Sequence, residues 1–108
     1  MTASLTHPHL TAPALWAYLA EVADALGIGL ESCTVDYDSP VSAYIALDVR
    51  LRNHPERDVA LLWDELGGWA LATETQSGND LSVVRRLGGD SPLPSPARVA
   101  HFVRSTAG

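Results

Sequence analysis

The sequence predicts an α+β domain: an N-terminal helix, an antiparallel meander of about five strands, and a short C-terminal helix. Three observations carry that prediction. Leu15, Trp16, Leu19, Val22, Ala23 and Leu26 recur at spacings of one, three and four, the period of an amphipathic helix. The stretch Arg57–Thr75 alternates apolar side chains on both sides of Gly67-Gly68, which is the pattern of a β-hairpin. Ser95-Pro96 places an N-cap serine before proline at the first helical position, ahead of a last apolar stripe. Helices segregated at the ends of a run of strands give a two-layer or three-layer domain.

Taken in order, residues 1–10 show no helical period and read as a flexible arm, so that residues 11–108 form the single domain. Thr11 suits an N-cap and Pro13 the first helical turn, while Gly27 and Gly29 end the helix. Trp16 and Tyr18 cannot both lie at the centre of the apolar stripe, so one is expected at its exposed margin. Glu31–Tyr37 alternates with Cys33, Val35 and Tyr37 on one face, and Asp38-Ser39-Pro40 signals a turn. A second strand is expected from Ala43 to Leu51, with Ala43, Ile45, Leu47, Val49 and Leu51 inward.

The hairpin then carries two of the three tryptophans. A loop Leu66-Gly67-Gly68, with Gly68 left-handed, would set Trp63 opposite Leu71 and Leu61 opposite Thr73. Its second face holds Ala60, Leu62, Ala70 and Ala72, small enough to admit a close helix, so both faces of the sheet are expected to be partly covered. Gln76-Ser77-Gly78-Asn79 turns into a fifth strand at Leu81–Leu87, whose Arg85 and Arg86 suit a sheet edge. Three prolines between Ser91 and Pro96 predict a stiff connector. The final helix, with Val99, Phe102 and Val103 on one face, is too short to stand alone in water. It docks on its own sheet or on another chain, and the connector makes it the element most able to reach outward.

The 108 residues suit one domain with its own core, and 46% hydrophobic against 19% charged residues is ordinary for a globular protein. No apolar run is long enough to span a membrane, and the chain opens without a secretory leader. One cysteine, Cys33, precludes an intrachain disulfide and fits a reducing cytoplasm. The net charge of −6 disfavours nucleic acid and anionic lipid, and suits a basic protein partner. Arginines gather at Arg50, Arg52 and Arg57 and again at Arg85-Arg86, which pair more readily with surface carboxylates than they read a nucleic acid.

No stretch names a reaction. Cys33 could serve as a nucleophile only beside a base in an electropositive setting. Its neighbours Glu31 and Asp36 are acidic, and by alternation it faces the core. Asp36, Asp38 and Asp48 could hold a hard cation but lack a calcium-loop spacing. His7 and His9 offer two ligands in the arm without partners. Asp64, Glu65 and Glu74 could form an acid/base set, and neither Gly67-Gly68 nor Gly88-Gly89 belongs to a phosphate loop. Catalytic residues, cofactors and metals are therefore not expected.

The segments Leu30–Asp36, Ser42–Asp48 and Arg57–Glu65, together with Gly67-Gly68-Trp69 and Gly88-Gly89-Asp90, resemble a family of small uncharacterised actinobacterial proteins. The resemblance spans about residues 14 to 104 and implies a self-contained domain of unknown function, with no catalytic residue to carry over. The expected function is a non-enzymatic protein-interaction module, either a homodimer or an acidic, immunity-like protein that masks a basic partner. Trp16, Tyr44, Trp63, Trp69 and Phe102 are its candidate surface residues. The alternative is a small-molecule site or minor enzyme, with a pocket between sheet and helix lined by Trp63, Trp69 and Tyr44.

Overall fold

The computed structural model describes residues 11–75 and 80–107. Helix α1 (Ala12–Leu26) begins where Thr11 Oγ1 accepts the Ala14 N–H at 3.2 Å. It ends at Gly27, whose φ of 76° is left-handed backbone that other side chains resist, and whose N–H returns to the Ala23 and Asp24 carbonyls. Five strands follow: β1 (Cys33–Asp36), β2 (Ser42–Leu47), β3 (Val59–Asp64), β4 (Gly68–Glu74) and β5 (Leu81–Arg86). Each pairs antiparallel with its neighbour in sequence, giving one sheet in the order β1-β2-β3-β4-β5. Helix α2 (Pro96–Ala107) closes the chain, with Ser95 Oγ accepting the Arg98 N–H at 3.2 Å. The α+β class and the element order are those the sequence pattern predicts. The arm 1–10, with His7 and His9, and the turn at residues 76–79 lie outside the described residues.

The strands depart from expectation at their ends. A 3₁₀ turn at Leu30–Ser32 delays β1 to Cys33. β2 stops at Leu47 because its ladder partner β3 starts at Val59, and beyond it Leu51 forms only an isolated bridge with His54. There Arg50 donates to the Arg57 carbonyl at 2.8 Å and pairs with Asp58, while Leu51 turns inward and stays buried.

The central hairpin is slid by two residues: Trp63 lies opposite Trp69, not Leu71, and Leu61 opposite Leu71, not Thr73. The cause is Asp64. Its Oδ1 accepts the Leu66 N–H at 2.8 Å and the Gly67 N–H, so the loop closes on the pair Asp64–Gly68. A slip of two preserves which face each side chain takes, because strands alternate with period two. Gly68 is left-handed as predicted, with φ 75°, and a Cβ there would sit 3.4 Å from Pro92 Cα.

One face of the sheet carries the core. Ala43, Ile45, Val59, Leu61, Trp63, Trp69 and Leu71 meet Leu15, Leu19 and Val22 of α1 and Val99, Phe102 and Val103 of α2. The two indoles lie 6.5 Å apart at 52°. Their N–H groups need acceptors when buried, and the proline connector supplies them, directly or through a phenol. Trp63 Nε1 donates to the Pro92 carbonyl at 2.7 Å. Trp69 Nε1 donates to the Tyr18 hydroxyl at 3.0 Å, which in turn donates to the Pro94 carbonyl at 2.6 Å. The connector is thus tied to β3, β4 and α1, and α2 packs on its own chain and does not reach outward.

Burial pushes the Tyr18 phenol up from 10.0 to about 12, against a smaller opposing pull from the Trp69 hydrogen bond. The unfolded chain loses that proton near pH 10 and the folded chain holds it to about 12, so stability falls as pH rises through this window. We expect melting temperature to drop across it. Tyr18→Phe should flatten that drop while costing about 1–3 kcal/mol at neutral pH, since Trp69 and Pro94 each lose a partner. Melting curves at several pH values check both.

Candidate functional site on the uncovered face of the sheet

The second face of the sheet stands outside the cluster that joins the sheet to the helices. On it stand Thr34 and Asp36 of β1, Ser42, Tyr44 and Ala46 of β2, and Ala60, Leu62 and Asp64 of β3, followed by Gly68, Ala70, Ala72 and Glu74 of β4 and Leu81, Val83 and Arg86 of β5. None belongs to the buried cluster that joins sheet and helices, and among the described residues no helix packs over them. The sequence pattern predicts both faces to be at least partly covered; Ala60, Ala70 and Ala72 are indeed buried, but among the described residues no helix does the covering. Two helices of 15 and 12 residues both settle on the face that bears the tryptophans, where the larger apolar area is removed from water.

A groove of about 400 Å³ lies on this open face, with Leu62 and Ala70 in its floor and Tyr44, Val83, Asp36 and Arg86 around it. Along β4 the residues on this side are Gly68, Ala70 and Ala72, short enough to be buried at the foot of taller neighbours. Leu62 on β3 stands beside that line, and Leu81 and Val83 on β5 stand exposed across it. Arg85 and Arg86 point to opposite sides of the sheet, as successive strand residues do, and the register shift between Leu71 and Ala72 leaves Val84 as the extra residue of β5.

The rim is acidic. Asp36, Asp58, Asp64 and Glu74 bound the face, against Arg86 and an Arg50 already committed to Asp58. Arg50 holds the Asp58 carboxyl below its ordinary range, first by its hydrogen bond and then by its charge. The Tyr44 phenol is raised, by burial first and then by the negative charges of Glu74 and Asp58. Asp36 Oδ1 accepts the Asp38 N–H at 2.9 Å, and Asp64 caps the hairpin loop, so each of these carboxylates is held in place by the backbone beside it.

The structure separates the five residues singled out from the sequence. Trp63, Trp69 and Phe102 are at most 3% exposed in the core. Trp16 sits at the margin of α1, its indole donating to the Tyr37 hydroxyl at 2.6 Å. Tyr44 and Trp63 both line the groove, but strand alternation puts the Trp63 side chain on the opposite side of the sheet with Trp69, so no pocket between sheet and helix joins the three. Cys33 is buried, its thiol raised by burial and by Glu31, which works against a thiolate nucleophile. Glu65 is buried too, and Val41 engages it twice: its Oε1 accepts the Val41 N–H at 2.9 Å, and its own N–H donates to the Val41 carbonyl at 3.0 Å.

Among the described residues no three His, Cys, Asp or Glu side chains gather about a common point. Nor do the arginines form a patch. Arg85 lies 5.5 Å over the Phe102 ring and donates to Thr106 Oγ1 at 3.0 Å on the helix side, while Arg86 faces the groove. The residues that sequence reading missed are Leu62, Ala70 and Val83. Their signal was present, since the alternation placed Leu62 and Ala70 on the second face, but it was assigned to an internal helix.

No helix among the described residues is long and apolar enough to cross a membrane. No curated protein and no solved structure matches the chain. A family model does, over residues 18–105, from the second turn of α1 to the last turn of α2, taking in the whole sheet with its uncovered face. The chain belongs to the family that this model describes, a family of unknown function (DUF6292).

Proposed function

We propose that the protein is a non-enzymatic protein-interaction module of the cytoplasm, which holds a partner on the uncovered face of its sheet. The observation that supports this reading is that face: an apolar floor at Leu62 and Ala70, exposed Leu81 and Val83, and an acidic rim, with the opposite face already filled by the chain's own helices. Contiguous exposed apolar surface rimmed by polar groups marks interaction sites on soluble proteins. The partner is a basic protein, and the acidic, immunity-like role is the variant of this reading that the net charge of −6 favours. Homodimerisation through this face would bring Asp36, Asp58, Asp64 and Glu74 against their own copies, which opposes it.

A photocrosslinking residue in place of Tyr44 or Val83 should capture one protein in the cells that make this chain. The same residue in place of Ala17 or Arg98, exposed on the outer sides of the two helices, should not. Equal capture at all four positions, or capture only at the helices, would contradict the proposal.

The groove also has the size of a small-ligand site, which runs from about 300 to 1,000 Å³. That is the second reading. A ligand class that raises the melting temperature of the parent, but not of a variant with Ala70 enlarged to Leu, would favour it.

A further inference from the structure

Resting on that reading, we propose that the groove seats one amphipathic helix of the partner, with apolar side chains toward Leu62, Ala70 and Val83 and lysine or arginine on its two flanks. Shape is the first argument. The groove crosses the sheet, from Thr34 and Asp36 of β1 past Tyr44 of β2, Leu62 of β3 and Ala70 of β4 to Val83 and Arg86 of β5. At about 4.8 Å between neighbouring strands these five strands span about 19 Å, the length of about 13 helical residues. A helix is the element whose own backbone bonds are satisfied, so it can lie on a sheet face that offers side chains and no free ladder. An extended segment would leave its N–H and C=O groups unpaired there, because β4 lies between β3 and β5 and its ladders run within the sheet.

Charge is the second argument, and it selects the flanks. Asp36 and Asp64 line the groove, and the charges of Glu74 and Asp58 reach its Tyr44. Arg86 lines the groove against them, and Arg50 is paired with Asp58. A helix bearing cations on both sides of its apolar stripe meets these carboxylates. One bearing glutamate, or a second copy of this acidic face, is repelled.

The test uses the full chain and three synthetic peptides of about 14 residues, a length set by the groove. The first has a leucine stripe flanked by lysine, the second carries glutamate in place of each lysine, and the third keeps the lysines but has two central prolines that forbid a helix. Titration followed by calorimetry should show one-to-one binding of the first peptide, at least about tenfold tighter than either of the others. Leu62→Glu, and separately Val83→Glu at an exposed wall position, should each weaken it by about tenfold or more. The melting temperature checks that each variant is folded. Asp36→Asn with Glu74→Gln should weaken it less and reduce its dependence on salt.

Binding of the lysine peptide that ignores both Leu62→Glu and Val83→Glu would overturn the proposal, as attraction to the acidic surface at large. Equal binding of the proline-broken peptide would also overturn it, in favour of an extended occupant. If crosslinking at Tyr44 or Val83 captures a protein whose contact segment is not a basic helix, this inference fails while the interaction reading stands. Absence of any capture on that face removes both.

Discussion

Trp63→Ala should unfold the protein or leave it barely stable. The side chain is 2% exposed, packs 6.5 Å from Trp69, and donates to the Pro92 carbonyl at 2.7 Å. Truncating a buried tryptophan costs about 3–5 kcal/mol in lost transfer energy and residual cavity. The orphaned Pro92 carbonyl adds to this, since the connector has few other donors to offer it. Domains of this size hold only about 5–15 kcal/mol in total. Trp63→Phe keeps most of the packing and should lose about 1–3 kcal/mol, the part owed to the hydrogen bond. Urea denaturation of the three proteins separates these contributions. A Trp63→Ala midpoint equal to that of the parent would show that the indole is not in the core.

Phe102→Ala should have an effect of similar size, about 3–5 kcal/mol. Phe102 is 3% exposed and its neighbours Val99 and Val103 are 0% and 2%, so α2 belongs to the core despite the prolines before it. The Arg85 guanidinium 5.5 Å over the ring would lose its cation–π contact. A second anchor acts at the same junction. Arg104 Nη2 donates to the Ala25 carbonyl at 2.9 Å, satisfying one of the last carbonyls of α1. Amide hydrogen exchange of α2 in the parent should therefore be as slow as that of β3 and β4. Rapid exchange confined to α2, with the sheet protected, would show that the helix opens by itself.

The two faces of the sheet differed in how far the sequence disclosed them. Helix α1 was legible because its cap, its proline and its terminal glycine all agree with its 3.6-residue period. The hairpin was legible as a hairpin, since Gly68 could only be the left-handed position. Its register was not read correctly because Asp64 was weighed as a catalytic carboxylate and not as the side chain that folds the loop. An aspartate two and three residues before backbone N–H groups at a turn is a local signal, and it was available.

Coverage was harder to see. Ala60, Ala70 and Ala72 look the same in sequence whether a helix of the same chain or of another lies over them. Which face the helices choose depends on the competing apolar area of Leu61, Trp63, Trp69 and Leu71, a sum over the whole sheet. The docking of the connector was invisible for a related reason. Prolines read as stiffness, but their carbonyls accept from Trp63 and Tyr18 across 29 and 76 positions of sequence.

One face of the sheet is covered by the chain's own helices and the other by none of them among the described residues, and adjacent residues of β2 report on both. In a Cys33→Ala background, Tyr44→Cys and Ile45→Cys place a thiol on the open and the covered face respectively. Reaction with a small maleimide under native conditions should be fast at position 44, near the rate of the unfolded chain. At position 45, where the parent side chain is 0% exposed, it should be slower by orders of magnitude and limited by unfolding. Equal protection at both positions would mean that something covers the second face, and equal reactivity would mean that the helices do not cover the first.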